Sequence, residues 1–333
     1  MKKKILLVTD NDKWAFHNIA THFKSFLNKY YDIDIVDLEY LNGNVVDLFL
    51  LGSNYDLVHI FWRGFFFDLD NDFSRSYIYN LGLSFEDFVE EYIKSKNITT
   101  CVYDHKLIEE KDINYYTKFV KDYYVSSKKL FKLYKEKDLD KKPSKTITDG
   151  IDLKMFYPKD NKFANIKKKT IQIGWAGNSK WDGETDHKGL NTIIIPCIKK
   201  LKKAGYDINL NLADSNIKLR KITEMKDYYD DIDLYLCCSI NEGTPNPVLE
   251  AMACGIPVIS TDVGIVKDAF GKEQRNFIMR ERTIDELYNK IVYLLENKDL
   301  FKKLSEENIK QIKSWTWEKK ALDFKKFIDN IMK

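Results

Sequence analysis

The chain has 333 residues and a mass of 39.3 kDa, which at roughly 100 to 200 residues per domain points to two domains rather than one. Hydrophobic residues make up 44% and charged residues 32%, enough apolar side chains to fill sizeable cores, so wholesale disorder is excluded. The 54 Lys plus Arg against 51 Asp plus Glu leave a formal charge of +3, too small to call for a nucleic-acid partner.

Met1-Lys2-Lys3-Lys4 precedes an apolar run, Ile5 to Val8, that Thr9, Asp10, Asn11 and Asp12 break at once. It is too short for a signal peptide and reads as a first strand. The first half then alternates short β-rich runs with helical patterns: a helix from about Trp14 to Tyr30, strands at Ile33 to Leu38 and Leu57 to Trp62, and a helix near Phe85 to Lys96. A strand at Thr99 to Tyr103, a helix near Ile113 to Lys121, a strand at Tyr123 to Ser126, a helix near Lys128 to Lys137 and a strand at Lys145 to Thr148 complete it. That rhythm implies a parallel sheet with helices on its faces. From about Asp149 to Lys169 the pattern lapses into turn and polar residues broken by Pro158, and the interdomain linker is placed there.

A second α/β series follows: strands at Thr170 to Ala176, Ile208 to Leu212, Asp233 to Cys238 and Val258 to Thr261, and helices at about Leu190 to Ala204 and Pro247 to Cys254. The segment Ile217 to Ile222 is ambiguous. After Asn276 to Met279 the chain is helical to its end, with Leu287, Ile291, Leu294 and Leu295 at helical spacing and Trp315 and Trp317 ahead of a last amphipathic helix. The division expected is 1–150, 151–315 and a terminal helix, 316–333, packing back on the first domain, with a cleft between two doubly wound α/β domains. Cys101, Cys197, Cys237, Cys238 and Cys254 lie in apolar runs without C-x-x-C spacing, which suits buried reduced thiols and neither a zinc site nor a redox pair. No run reaches the roughly 18 apolar residues of a membrane-spanning helix. The expected location is cytoplasmic, and the lysine-rich stretch from Lys118 to Lys145 leaves peripheral contact at the inner membrane face as an option beside an ordinary solvated helix face.

The densest signal is Ser239-Ile240-Asn241-Glu242-Gly243-Thr244-Pro245-Asn246-Pro247-Val248-Leu249-Glu250-Ala251-Met252-Ala253-Cys254-Gly255-Ile256-Pro257. Asn246 reads as an N-cap, Pro247 suits the first helical position, and Gly255 with Pro257 ends the helix, so a strand runs through a loop into a short helix. In open α/β sheets ligands gather at the carboxyl ends of strands, and the free amides of a helix N-terminus favour phosphate. Glu250 is the one charged residue of a nearly all-apolar helix and needs partners. Two readings stand on spacing alone: Glu250 caps a backbone amide while Glu242 is a solvated loop residue, or Glu250 meets ligand hydroxyls such as the adjacent pair of a ribose.

Glu242 and Glu250, seven residues apart within E-G-T-P-N-P-V-L-E-A-M-A-C-G-I-P-V-I, resemble the E-x7-E signature of retaining glycosyltransferases of the GT-B fold, in particular family 4. Ile171 to Gly177 is similar to the strand and glycine turn that open that family's donor domain, and His187-Lys188-Gly189-Leu190 to its Lys-Gly phosphate element. Thr148-Asp149-Gly150-Ile151-Asp152 with Phe156 and Pro158 resembles its linker, Tyr124-Val125-Ser126 its strand-to-serine element, and Ser314-Trp315-Thr316-Trp317-Glu318 the segment entering its crossing helix. The resemblance implies a GT-B fold of two Rossmann-like domains, with the acceptor site in 1–150 and the donor site in 151–315, and transfer of a sugar from a nucleotide diphosphate sugar to an acceptor hydroxyl with retention. The acceptor would be a glycan, a lipid-linked glycan or a protein, as in cell-surface polysaccharide assembly. No nucleic acid, metal ion or other cofactor is implied.

Residue by residue, the resemblance implies that Glu250 holds the donor ribose, Glu242 the hydroxyls of the transferred sugar, and Lys188 the diphosphate, with the amides of Gly243 and Thr244 completing the cradle. Pro245 offers no amide. Gly177, Asn178 and Lys180 fall on the donor side; relatives often carry Arg where Asn178 stands, and Lys180 is the nearby substitute. Charge that builds on a departing diphosphate is stabilised by a fixed cation and oriented amides. Retention can proceed through a covalent carboxylate, as in many glycosidases, or by same-face substitution within an ion pair, and the sequence does not choose. In the first domain His105 follows a strand at a position where relatives often place a cleft histidine, whereas His17, His22 and His59 have no such support. Asp10-Asn11-Asp12-Lys13-Trp14 replaces a glycine-rich loop, and Arg63, within Phe61-Trp62-Arg63-Gly64-Phe65-Phe66-Phe67, is the one acceptor contact that segment suggests beside its reading as core strand and packing loop. The rival from another class is a sugar-nucleotide-binding or scaffold protein of the same fold without turnover.

Overall fold

Strand β1 (Lys4–Thr9) is buried over Ile5 to Thr9, as a strand must be when both faces of its parallel sheet are covered. The computed structural model describes all residues except 13–14, 106–113, 165, 167–169, 182 and 184, and the chain divides into Met1–Asp149 with Trp317–Lys333, and Gly150–Thr316. Lys13 and Trp14 of the loop after β1, the start of the helix expected at Ile113, and Asp182 lie outside the described residues.

In the first unit β1 is followed by α1 (Ala15–Leu27), β2 (Asp32–Asp37), α2 (Val45–Gly52), β3 (Leu57–Ile60), α3 (Phe65–Asp68), α4 (Asp72–Asn80) and α5 (Phe85–Val89), which runs on as a π turn over Glu90–Lys94. Then come β4 (Ile98–Val102), β5 (Asp122–Val125), α6 (Lys128–Glu136) and β6 (Lys145–Thr146). The sheet is parallel throughout, in the order β2-β1-β3-β4-β5-β6. Side-chain caps fix several helix starts: Asn44 accepts from the amides of Val46 and Asp47, Ser84 from Asp87, and Ser127 from Leu130. Of the helix expected near Ile113 to Lys121, the described residues form one 3₁₀ turn, Tyr116–Lys118, whose Tyr116 and Thr117 are buried. On α6, Leu130 and Tyr134 face the core while Lys128, Lys129, Lys132 and Lys135 are exposed.

The second unit holds β7 (Ile171–Gly177), a π turn (Leu190–Ile194) leading into α7 (Ile195–Lys203), β8 (Ile208–Asp214), α8 (Ile222–Asp231), β9 (Leu234–Cys237), α9 (Asn246–Ala253) and β10 (Val258–Thr261). It closes with α10 (Val266–Ala269), β11 (Ile278–Met279), α11 (Ile284–Glu296) and α12 (Asp299–Ile312). Its sheet is also parallel, in the order β11-β10-β9-β7-β8. Four described residues of the stretch read as a linker, Ile151, Phe156, Phe163 and Ile166, are buried in this unit's core; 165 and 167–169 lie outside the described residues. The amide of Ile151 donates to the carbonyl of Trp315 at 2.8 Å, and Ile151 bridges Thr316.

The last helix, α13 (Trp317–Ile331), belongs to the first unit. Its buried Trp317, Ala321, Phe324, Phe327 and Ile328 join Ile19, Phe23 and Leu27 of α1 in one cluster, with Phe324 stacked on Phe23 at 4.4 Å between ring centres. All five cysteines are buried and free. Among the described residues no helix is long and apolar enough to cross a membrane.

Candidate functional site

Two loops meet at the carboxyl edge of the second sheet, one from β7 to α7 and one from β9 to α9. Gly189 is the contact: its φ of +74° lies in the left-handed region, and a Cβ there would stand 2.4 Å from the carbonyl oxygen of Cys238, so only glycine fits. Arg282 ties the same loops together, donating from Nε to the Cys238 carbonyl at 2.7 Å and from Nη2 to the Asp186 carbonyl at 2.6 Å. The amide of Ile240 donates to the His187 carbonyl at 2.9 Å, and His187 Nε2 lies 2.9 Å from the Asn241 carbonyl, which can only accept.

This bracing brings Lys188 to Glu242. Lys188 Nζ lies 2.5 Å from Glu242 Oε1, to which Ser239 Oγ also donates at 2.8 Å. The side chains are 24% and 16% exposed, so the pair is sheltered yet open to a ligand. Thr261 Oγ1 holds the Ser239 carbonyl at 2.7 Å. Gly243 is buried and Thr244 half-buried; Gly264, at a φ of +48°, lets the Gly243 carbonyl pack where its Cβ would stand 2.1 Å away.

Glu250 sits on α9 among buried Val248, Leu249, Ala251, Met252 and Ala253. The helix starts one residue earlier than expected: Asn246 is its first residue, and Pro245, which has no side chain able to cap, precedes it. Among the described residues neither a backbone amide nor a cation partners Glu250. Oε2 accepts from the hydroxyl of Tyr229, a buried residue of α8, at 2.8 Å. Burial pushes its carboxyl up to about 7, against the pull of that hydrogen bond. Its partner within the protein is thus a tyrosine hydroxyl and not the backbone amide of the capping alternative.

Gly177 ends β7, and Asn178 and Lys180 occupy the turn after it. The Gly177 carbonyl accepts from the amide of Ser215 at 2.8 Å, and Asn178 Oδ1 from the amide of Lys180 at 2.9 Å. Buried Asp214 accepts from the amide of Ser179 at 3.1 Å. Asn178 Oδ1 is therefore engaged in its own turn, while Nδ2 keeps two N–H donors. Lys180 is exposed, and among the described residues no hydrogen bond or ion pair joins it to Lys188, Glu242 or Glu250.

In the first unit His105 is half-buried just beyond β4. The neighbouring Asp104 pairs with Arg63 at 2.8 Å, and Arg63 is 1% exposed. Arg63 is therefore a buried partner of Asp104 and not an exposed acceptor contact; Phe61, Phe65 and Phe66 around it are core. His59 is buried against Tyr124, Phe61 and Phe324, with its pKa lowered by burial to about 3. His22 stacks on Trp317. Sequence reasoning missed Arg282, Ser239, His187 and Tyr229. Ser239 and His187 open the two quoted motifs and were within reach; Arg282 and Tyr229 carry no local pattern. Among the described residues no three His, Cys, Asp or Glu are arranged to hold a metal ion.

Residues 198–311 match the family model of glycosyl transferases group 1. Over 55 residues, 16% of this chain and 14% of the relative, the sequence is 46% identical to a putative teichuronic acid biosynthesis glycosyltransferase, TuaC, of Bacillus subtilis. The chain spans at most about half the length of the curated relatives it matches, 49% in the longest case. Among solved structures it resembles sucrose-phosphate synthase of Thermosynechococcus elongatus, with a TM-score of 0.70 at 12% identity over 99% of both chains. It also resembles Anabaena HepE in complex with UDP and glucose, with a TM-score of 0.68 at 12% identity over 98% of this chain and 99% of that one. The chain has the GT-B fold, and its second unit carries over residues 198–311 a sequence that matches group 1 glycosyltransferases.

Proposed function

We propose that the chain is a retaining glycosyltransferase that moves a sugar from a nucleotide diphosphate sugar to an acceptor hydroxyl in glycan or cell-surface polysaccharide assembly. The observation that carries the reading is the sheltered Lys188–Glu242 pair, on two loops braced against each other at a sheet's carboxyl edge, with Glu250 on the helix that follows one of them. A diphosphate arriving there meets Lys188 Nζ and the amide end of α9, the groups that stabilise the charge of a leaving nucleoside diphosphate. Binding draws Lys188 from Glu242 to phosphate and leaves the Glu242 carboxylate for sugar hydroxyls, a holding role rather than attack on the anomeric carbon. Glu250, with Tyr229 on Oε2, turns to the ribose. The similarity of TuaC to part of the chain supports a polysaccharide product, and HepE, solved with UDP and glucose, supports a uridine donor.

A second reading, a sugar-nucleotide binder without turnover, rests on one observation: Asn178 stands where relatives often carry Arg and engages its Oδ1 within its own turn. Thermal stability against uridine, guanosine and adenosine diphosphate sugars, in wild type and Glu250→Ala, tests the site. Ligand at about 100 times its dissociation constant adds roughly 2.7 kcal/mol. A shift with one nucleotide class, lost in Glu250→Ala, is expected; no shift with any class in a folded protein overturns the donor site. Acceptor-dependent release of nucleoside diphosphate separates the transferase from the binder.

A further inference from the structure

One guanidinium spans the two loops that carry Lys188 and Glu242. Arg282 lies between β11, the edge strand of the second sheet, and α11. Because β10 stands between β11 and β9, its side chain reaches past one strand to the Cys238 carbonyl, just beyond β9, at 2.7 Å through Nε. Nη2 takes the Asp186 carbonyl, in the loop from β7, at 2.6 Å. Nη2 also lies over Gly189, where a Cβ would come within 3.2 Å of it. Among the described residues no carboxylate pairs with the guanidinium, and both its bonds go to main-chain carbonyls.

Each of those carbonyls belongs to a segment fixed a second time. Asp186 Oδ2 accepts from the amide and the hydroxyl of Thr192 at 2.6 and 2.8 Å, so Asp186 is anchored through main chain and side chain alike. Ser239, next to Cys238, has its carbonyl held by Thr261 and donates from its hydroxyl to Glu242 Oε1. Lys188 stands two residues beyond Asp186, and Glu242 four beyond Cys238. A guanidinium is a rigid planar fork, so carbonyls on two of its nitrogens are kept at a set separation. A cation on a loop that strays binds its ligand more weakly, by the fraction of time it is out of place.

We propose that Arg282 is a positioning residue for the diphosphate: its fork keeps the two loops at the separation that holds Lys188 Nζ in place for the ligand, without touching the ligand itself. The assignment rests on the proposed donor site for the ligand and on the loop geometry for the rest. Its signature is coupling. Removing the fork acts through Lys188, so the effect vanishes where Lys188 is already gone. An arginine that met phosphate directly would add its loss to that of Lys188. One that only stabilised the fold would lower the melting temperature and leave the affinity of the folded protein alone.

The test is a double-mutant cycle on the full chain. UDP, GDP and ADP are titrated calorimetrically into wild type, Lys188→Ala, Arg282→Met and the double variant, and each protein's melting temperature is taken. For a nucleotide that binds wild type, Arg282→Met is expected to weaken affinity roughly tenfold, and less than about twofold once Lys188 is replaced. Arg282→Lys keeps the charge and puts one nitrogen where the fork offered two, so the same coupled loss is expected; this variant decides if Arg282→Met does not fold. Unchanged affinity in a folded Arg282 variant, or a loss that multiplies that of Lys188→Ala, overturns the proposal. The wild-type titration keeps the two readings apart. No binding of any of the three to folded wild type sinks the donor site and this assignment with it, whereas binding that the Arg282 variants leave intact sinks only this assignment.

Discussion

The carboxyl edges of the two sheets share a plan and differ in chemistry. In the second unit the edge carries a cation, Lys188, beside Glu242, on loops locked by Gly189 and Arg282. In the first, the edge at β1 and β2 carries His17, Asp10 and Asp37 gathered around Thr9. Strand ends and a following helix meet at both. On the function proposed above, the lysine is what suits the second edge to a diphosphate.

The largest effect that sharpens this contrast is expected at Gly189. Gly189→Ala puts a Cβ 2.4 Å from the Cys238 carbonyl at a φ of +74°, and the strain of such a backbone should cost about 3 kcal/mol. Denaturant unfolding reads it, and nucleotide binding should weaken with it, because the loop that carries Lys188 must move.

Lys188→Ala should leave stability nearly unchanged and weaken nucleoside diphosphate binding by roughly 10- to 100-fold, the worth of one charged hydrogen bond. Equal affinity in calorimetric titration would break the contrast, since the lysine is what distinguishes this edge.

Glu250 gives a pH signature. Its folded carboxyl titrates near 7 against an ordinary 4.5, so between those values the folded state holds a proton that the unfolded state has released. Stability from this group therefore falls as pH rises from about 4.5 to about 7 and levels off above. Glu250→Gln should match wild type near pH 4 and exceed it above pH 7 by on the order of 2 kcal/mol, read from melting temperatures across that range. Tyr229→Phe is a smaller change, about 1 kcal/mol for one hydrogen bond, and should raise the Glu250 titration further, because the lost bond favours the charged form. Smallest of all, Lys180→Ala should change diphosphate affinity less than about twofold, as an exposed charge does; a loss equal to that of Lys188→Ala would make it the substitute for the missing arginine.

What the sequence made legible follows from where the information sat. β1, β7, β9 and β10 were readable because buried parallel strands are short apolar runs with polar punctuation, and the loop from Ser239 to Gly255 because Gly and Pro mark its turns. The helix α8, ITEMKDYYDD, escaped because only Tyr228 and Tyr229 of its ten residues are buried and no apolar period shows. Tyr229 was lost with it, although it holds Glu250. The short α2 and α4 went unread for similar reasons: one is almost wholly apolar, the other buries only Ser74 and Ile78. Arg63 left two readings open, acceptor contact or core, because nothing local pairs a guanidinium in an aromatic run, and its 1% exposure with Asp104 beside it gives the core reading. Arg282 lies far from both loops in sequence, and only the fold makes it their clamp.

The most direct test of the donor site is calorimetric titration of UDP, GDP and ADP into wild type and Lys188→Ala. The account predicts saturable binding of one nucleotide to the wild type, at least about tenfold weaker in the variant. Absence of binding by all three to a folded wild type, or unchanged affinity in Lys188→Ala, would contradict it.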